Sequence, residues 1–574
     1  MIVRWILHLQ PIRASFHFAS KSFSIAALLE APIKSDYPAV EIPSIPFHET
    51  VLGALREHMK SDQKIAFVCA ENQAEITYKT VYDTSHAVSS FLQKNNFQRD
   101  VACAVLPNHW AWAPFFLGVA MNGGALTGIS PMATEYELKR QLVDSEAKVV
   151  LTNTKALNNV LNAAQDCTSV QHVICIRDEK DATFPYGVFC WDRDVVNAPI
   201  QSNAPNVNID IHRDIITLPY SSGTTGTPKG VMITHHNYSA MISIFSQHQR
   251  QFMSGALESG WDRHKDKHLL VLPFYHCYGF GFLMNGLISG SPIVMLSHFQ
   301  PDVFCETVQL HRIRFAPVVP SVLNFLAKSP LCEEYDLNSL ELIMSGGAPA
   351  GRDICEELMR KYENLRHVQQ GYGMSEATMA THLPDVINGQ PFGSVGKLLP
   401  NLEMKIVDPN TADEVPCWET GEVCIRGPTV MHGYFRNTRA TEDTITDGWL
   451  HTGDIGYLDN NHYLFIVDRL KELIKVKGFQ VAPAELEGIL LSHPEIHDAA
   501  VIGIPDDRFG EIPKAYVVRA QESLSEEDVK GFIREKVSPY KYLTGGVEFV
   551  DTIPRSQAGK ILRRVLRDGH FAEQ

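Results

Sequence analysis

The sequence predicts an α/β protein: a large N-terminal domain of parallel-sheet subdomains with a small β-barrel-like part, then a small α+β C-terminal domain. Three observations predict it. Strand and helix patterns alternate at βαβ spacing from residue 101 onward. Over 401–467 the alternation gives way to short strands and turns. After Asp468-Arg469-Leu470-Lys471 a compact segment with two helical patterns closes the chain. A chain of 574 residues has room for several domains.

Residues 101–134 carry no formal charge, and Ala111–Ile129 is long enough to cross a bilayer. Pro114, Asn122 and four glycines interrupt it, so it reads as strand Val101–Leu106, buried helix Trp110–Met121 and strand Ala125–Ile129. Thr134 and Glu137 then have the spacing of a capping box that opens an amphipathic helix. Strand Lys148–Leu151 follows. Similar strands are expected at Ile216–Pro219, Leu269–Leu272, Ile293–Leu296 and Leu342–Met344. The β-rich part is expected to hold Met404–Val407, Glu422–Ile425 and Tyr463–Val467, and the C-terminal segment helices near Pro483–Ser492 and Ser525–Lys536. These patterns divide the chain into 45–468 and 469–574.

A net charge of −15 leaves no basic footprint for nucleic acid. The eleven cysteines contain no C-x-x-C pair, which speaks against a disulfide framework and against a zinc site. Residues 1–30 are a separate matter. No acidic residue precedes Glu30, Arg4, Arg13 and Lys21 are basic, and Ile2, Trp5, Ile6 and Leu9 recur at helical spacing. That is the composition of a mitochondrial transit peptide, so a matrix location is expected, with the cytoplasm as the alternative. The last residues, Phe-Ala-Glu-Gln, are not a peroxisomal S-K-L address.

The strongest local signal is Tyr220-Ser-Ser-Gly-Thr-Thr-Gly-Thr-Pro-Lys-Gly230, read as following an apolar strand and preceding a helix-like stretch. Gly223, Gly226 and Gly230 let backbone N–H groups approach phosphate oxygens. Ser221, Ser222, Thr224, Thr225 and Thr227 add hydroxyl donors, and Lys229 adds charge. It is not a Walker A loop: counted from Gly223, the second Gly falls on Pro228 and the Ser/Thr on Gly230.

With this segment, four others in order make the chain resemble the adenylate-forming superfamily, in its 4-coumarate–CoA ligase and luciferase branch. They are Gln370-Gly-Tyr-Gly-Met-Ser-Glu-Ala377, Gly448-Trp-Leu-His-Thr-Gly-Asp454 with Val467-Asp-Arg-Leu-Lys-Glu472, Ile474-Lys-Val-Lys-Gly-Phe-Gln-Val-Ala-Pro-Ala-Glu485, and Pro554-Arg-Ser-Gln-Ala-Gly-Lys560. The resemblance covers about residues 45–567. It implies ATP, Mg²⁺ and coenzyme A as participants, with an acyl-adenylate formed first and a thioester second.

By this resemblance Gly371, Tyr372, Gly373 and Ser375 bind the nucleotide with Asp454 and Arg469, and Glu376 with Thr225 holds Mg²⁺. Such chemistry suits these residue types, because a carboxylate attacking a phosphate must have charge neutralised. Lys560 is implied to serve adenylation. Lys475 and Gln480 are implied to serve thioester formation after the small domain rotates about Lys471, with Lys477 and Gly478 beside coenzyme A. His276 is implied to lie beside the acyl carboxylate, and Tyr278, Gly346 and Gly347 to line the acyl pocket. Thr378-Met379-Ala380 stands where aromatic-acid ligases carry Gly-Pro-Val, so fatty or other aliphatic acids stay open beside aromatic ones. A luciferase-like oxidase and an inactive binding homologue remain alternatives.

Overall fold

A computed structural model describes residues 32–61, 63–178, 183–200, 207–221, 228–476, 479–506, 508–556 and 559–568. The expected targeting segment, 1–30, lies outside them. No helix among the described residues is long and apolar enough to cross a membrane.

The central sheet is built around Val101–Val105, which pairs in parallel with Ala125–Ile129 on one side and Val149–Asn153 on the other. His172–Ile176 and Val188–Cys190 extend it beyond 149–153, again in parallel. Ile215–Thr217 lies beside Ala125–Ile129. The helix over the rejected membrane span, Trp112–Met121, is buried from Trp112 to Ala120. It packs so closely on helix Tyr78–Lys94 that a Cβ at Gly118 would lie 2.4 Å from the Val88 side chain. Thr134 and Glu137 form the expected capping box, with Glu137 N–H donating to Thr134 Oγ1 at 3.3 Å and Thr134 N–H to Glu137 Oε2 at 2.8 Å.

One local expectation is corrected. The glycine-rich segment leads into a strand, Lys229–Thr234, and only then into helix His235–His248. The run Gly-Val-Met-Ile-Thr has no helix cap before it and finds two partners: Ile233 pairs with Thr217, and Val231 pairs with Tyr434. Tyr220–Ser221 and Lys229–Thr234 form the antiparallel stem of the loop, with Ser221 opposite Lys229.

A second sheet carries parallel strands His268–Leu270, Ile293–Met295 and Ile65–Cys69, with Glu75–Thr77 antiparallel at its edge. A third, all parallel, holds Phe315–Val318, Leu342–Ser345 and His367–Gln370. The β-rich part is an antiparallel sheet in which Gly421–Arg426 pairs with Glu403–Val407 and with Trp449–Leu458, and the latter with Leu464–Arg469. Beyond it, Ile474–Val476 lies between Phe479–Val481 and Gly510–Arg519, and Gly510–Arg519 pairs in turn with Ile496–Asp506. Helices Pro483–Leu491 and Glu526–Arg534 cover this last sheet around a separate core that includes Ile474, Leu486, Leu490, Val501, Val517, Val529 and Ile533.

Among the described residues, several contacts hold the C-terminal segment on the large domain: Leu473 and Ala482 pack on Ile455, and the Ala484 N–H donates to Asp468 Oδ2 at 3.0 Å. Lys328 Nζ donates to the carbonyls of Leu491 and Ile496 at 3.3 and 2.9 Å, capping the end of a helix. Gly559, at φ +79°, turns the chain so tightly against Val319 that an added Cβ would stand 3.2 Å from it.

Candidate active site

A cavity of about 1340 Å³ opens where the central sheet, the third sheet, the β-rich part and the C-terminal segment meet. Its wall includes Ser221, Lys229, His276, Tyr278, Gly346, Gly347, Gly371, Tyr372, Gly373, Ser375, Glu376, Arg469, Lys471 and Lys560. Residues from segments more than three hundred positions apart therefore share one space.

The segment after strand His367–Gln370 forms the cavity floor. Gly373 is required there by contact: a Cβ would lie 1.9 Å from the Met379 carbonyl oxygen and 2.5 Å from Ala380 Cα. Gly371 is less constrained, its nearest neighbour being Leu383 Cδ2 at 3.3 Å. The Tyr372 hydroxyl donates to Asp454 Oδ2 at 2.6 Å, and Arg469 Nε lies 3.3 Å from Asp454 Oδ1. Asp454 and Arg469 face each other across paired strands. Burial raises the Asp454 pKa, against the pull of the Arg469 charge.

Glu376 is 2% exposed, and its Oε1 accepts the Tyr434 hydroxyl at 2.9 Å. Tyr434 was not anticipated. Its ring also receives Lys229 Nζ at 4.6 Å from the centroid, so one aromatic side chain links the loop stem to the carboxylate. A buried carboxylate on the cavity wall is a hard oxygen donor of the kind Mg²⁺ takes. Glu376 therefore fits the ion that the motifs imply, while Thr225 lies outside the described residues, as do Ser222, Gly223, Thr224, Gly226 and Thr227.

His276 caps helix Cys277–Ser289 with its side chain: Nδ1 accepts the Tyr278 N–H at 3.3 Å. Burial, and then the nearby Lys560 charge, lowers its pKa to about 4. The ring is therefore neutral near pH 7, and with Nδ1 accepting, its proton sits on Nε2. Tyr278 donates its hydroxyl to the Met344 carbonyl at 3.2 Å and lies flat enough on Gly346 that a Cβ there would come 3.1 Å from the ring. Met379 and Ala380 line the same cavity, and Thr378 holds a positive φ of 69° with its hydroxyl bonded to the Thr429 carbonyl at 2.6 Å.

Lys560 enters from the C-terminal segment. Its N–H donates to Ser556 Oγ at 3.2 Å, and its carbonyl accepts the Ser556 N–H at 2.7 Å. Arg555, ion-paired with Asp498 at 2.7 Å, donates to the Gly559 carbonyl and holds the same turn. Burial and then the Arg469 charge lower the Lys560 pKa, while Asp454 and Glu376 raise it. Lys475 is not brought here: it is exposed, on strand Ile474–Val476, where its N–H donates to Glu511 Oε2 at 2.8 Å. Gln480 is its register partner, and Lys477 and Gly478 lie outside the described residues. Lys471 is exposed just past strand Leu464–Arg469 and lines the cavity mouth.

A family model for the AMP-binding enzyme matches residues 55–435, and one for the AMP-binding enzyme C-terminal domain matches residues 485–560. The chain belongs to the AMP-binding enzyme family. This AMP-binding enzyme is 38% identical to 4-coumarate:CoA ligase 1 of Petunia hybrida over 545 residues, covering 93% of this chain and 96% of that one. It is 36% identical to 4-coumarate–CoA ligase 1 of Arabidopsis thaliana, covering 93% and 94%. Among solved structures it is similar to ATP-bound MatB from Rhodopseudomonas palustris, with TM-score 0.79, 25% identity and coverage of 92% and 99%. It is also similar to o-succinylbenzoate CoA synthetase from Bacillus subtilis in complex with an acyl-adenylate intermediate, with TM-score 0.73, 26% identity and coverage of 91% and 99%. In this AMP-binding enzyme each motif that carried the resemblance, except for the segment of Lys475, has described residues on the wall of this one cavity.

Proposed function

We propose that this AMP-binding enzyme is an AMP-forming acid–CoA ligase that joins a carboxylic acid to ATP as an acyl-adenylate and then passes the acyl group to coenzyme A. The observation that carries the reading is the convergence of Lys560, His276, Glu376 and the Tyr372–Asp454–Arg469 group on one cavity. Adenylation brings a carboxylate up to the α-phosphate, anion against anion. Lys560 and Arg469 supply positive charge there, in a space that burial keeps from being fully screened. The neutral His276 offers Nε2–H to the acyl carboxylate without adding a charge. Asp454, already accepting from Tyr372, presents carboxylate oxygens to the ribose hydroxyls. Mg²⁺ held at Glu376 would supply charge neutralisation on the ATP phosphates.

The acyl group lies against Tyr278, Gly346, Gly347, Met379 and Ala380. That wall is apolar apart from the Tyr278 hydroxyl, which the Met344 carbonyl already occupies. It suits an acid with an apolar body, aliphatic or aromatic, and a fatty acid is within this class. In the described arrangement the site is set for the first half-reaction, because Lys560 is in the cavity and Lys475 outside it. The second half-reaction uses Lys475, Gln480, Lys477 and Gly478 after rotation about Lys471. The decisive measurement is pyrophosphate release across short, medium, long and aromatic acids, with and without coenzyme A. Release without any dependence on added acid overturns the ligase reading. Oxygen uptake in place of thioester formation favours a luciferase-like oxidase.

Targeting to the mitochondrial matrix is part of the same proposal, supported by the acid-free segment before Glu30. A reporter fused to residues 1–35 enters mitochondria on this reading, and a reporter left in the cytosol refutes it.

A further inference from the structure

Strands Gly421–Arg426 and Trp449–Leu458 pair antiparallel, but the register slips between Glu422 and Cys424. Glu422 faces Ile455 and Cys424 faces His451, so two residues on one strand span four on the other. Three residues, Thr452-Gly453-Asp454, thus stand against the single Val423 and bulge, and such irregularities re-aim side chains. Glu422 and Cys424, two apart, share a sheet face. Both therefore meet His451. Its Nδ1 lies 2.8 Å from Glu422 Oε2 and 3.5 Å from Cys424 Sγ, and the three donor atoms all lie within 4.8 Å of one another.

We propose that Glu422, Cys424 and His451 bind one divalent cation of the zinc class. The donor set decides the class. One thiolate, one imidazole and one carboxylate suit Zn²⁺, whose bonds of roughly 2.0–2.3 Å in a tetrahedron place ligand atoms about 3.3–3.8 Å apart. The Cys424–His451 separation already falls in that range, and the Glu422–His451 pair opens slightly. Magnesium, an all-oxygen ion, does not fit, so this site is separate from the Glu376 site. Glu422 and His451 line the cavity, which gives the ion an entrance and a water for its fourth position, while Cys424 is fully buried behind them.

The charges balance. An unligated cysteine thiol carries its proton near neutral pH. On binding, the sulfur–metal bond forms and that proton leaves to solvent. The proton His451 Nδ1 donates to Glu422 moves to Nε2, and the dication meets one thiolate and one carboxylate. Binding releases a proton and tightens as pH rises.

If the cavity adenylates an acid as proposed, the site also acts on that reaction. Glu422 Oε1 accepts the Gly453 N–H at 3.0 Å and braces the bulge that carries Asp454. A metal that claims Glu422 loosens that brace beside the ribose acceptor, so zinc-class ions inhibit.

The test uses the full chain without nucleotide, titrated with Co²⁺ as the probe. A near-ultraviolet thiolate–cobalt band is expected, saturating at one ion per chain. It is lost in Cys424→Ser, shifts to more than about 10-fold higher Co²⁺ in His451→Gln, and persists in Cys277→Ser, which removes a thiol that lines the cavity itself. Near-ultraviolet circular dichroism establishes that each variant is folded. No band, or a band that survives Cys424→Ser, overturns the site. Adenylate formation is then measured with and without buffered Zn²⁺, each variant against its own zinc-free rate. Zinc is expected to slow the wild type and to have less effect on Cys424→Ser. A cobalt band with no zinc inhibition removes the link to Asp454 and leaves both the site and the ligase reading standing.

Discussion

Replacing Lys560 by Met keeps most of the side-chain stem in the cavity and removes only the ammonium. Two opposite unit charges about 4 Å apart interact by roughly 4 kcal/mol at an effective dielectric constant near 20. Arg469 remains in the variant and supplies part of that field, so the net loss falls near the 2.7–4 kcal/mol measured for a single preorganised donor elsewhere. Adenylation should then slow by about 10²–10³-fold. Lys475→Ala, in contrast, alters an exposed residue outside the cavity and should leave the first turnover of pyrophosphate release within about 3-fold, a change of less than ~0.7 kcal/mol in the barrier. Two assays separate the lysines: burst release of pyrophosphate from acid and ATP, and thioester formation from preformed acyl-adenylate with coenzyme A. Lys560→Met should fail the first and keep much of the second, while Lys475→Ala should do the reverse. Equal loss of both half-reactions in both variants refutes the division of labour and the rotation that it implies.

The two glycines of the floor should differ: Gly373→Ala drives a Cβ into backbone, and a shift of 1 Å near reacting groups costs on the order of 100-fold in adenylation, whereas Gly371→Ala meets a movable Leu383 methyl at 3.3 Å and the His382 carbonyl at an ordinary contact distance of 3.4 Å and should stay within about 5-fold. Pyrophosphate release and a thermal melt on both variants check this, and equal rates refute it. Tyr434→Phe should raise the Mg²⁺–ATP concentration needed for half-maximal rate, because Glu376 loses the hydroxyl that holds Oε1, and Glu376→Gln should lower adenylation further; unchanged magnesium dependence in both removes Glu376 from the metal role. The Lys560 pKa is lowered by burial and by Arg469, so the alkaline limb of kcat/KM for adenylation should fall below the ordinary lysine value as the ammonium loses its proton. Arg469→Gln, which removes one lowering cause, should move that limb upward even as KM for ATP rises, and a limb that does not move argues that Lys560 is not the titrating group.

Much of this site was legible in the sequence because its chemistry is packed into short motifs. Gly371, Tyr372, Gly373, Ser375 and Glu376 fall within six consecutive positions, and all line the cavity. Strand and helix expectations held where the pattern had one reading, as at Ala125–Ile129 and the Thr134 capping box. They slipped where an apolar run was short. Gly230-Val-Met-Ile-Thr suits either period, and only Thr217 and Tyr434, contributed from positions far apart, decide that it is a strand. Tyr434 escaped notice for the same reason. A tyrosine after a glycine carries no sign that its hydroxyl will reach a carboxylate 58 positions earlier. The Glu422–Cys424–His451 meeting also depends on a register slip, which alternation alone does not reveal.

The placement of Lys560 shows why the last step is the hardest to read. Locally every link is short: Ser556 clasps the Lys560 backbone on both sides, Arg555 holds the Gly559 carbonyl, and Gly559 takes a left-handed turn. None of these fixes where the ammonium goes. That is set by how the C-terminal segment rests on the large domain, through Lys328 on the carbonyls of Leu491 and Ile496 and through Gly559 against Val319. With Leu473 and Ala482 on Ile455 and the Ala484 N–H on Asp468, these make a hold of a few polar contacts and one small apolar cluster, each net hydrogen bond to a charged group contributing about 1.5–3 kcal/mol. A hold of that size seats Lys560 firmly enough for adenylation and still lets the segment leave. The same weakness that hides the site from the sequence is what a two-step enzyme needs in order to exchange Lys560 for Lys475.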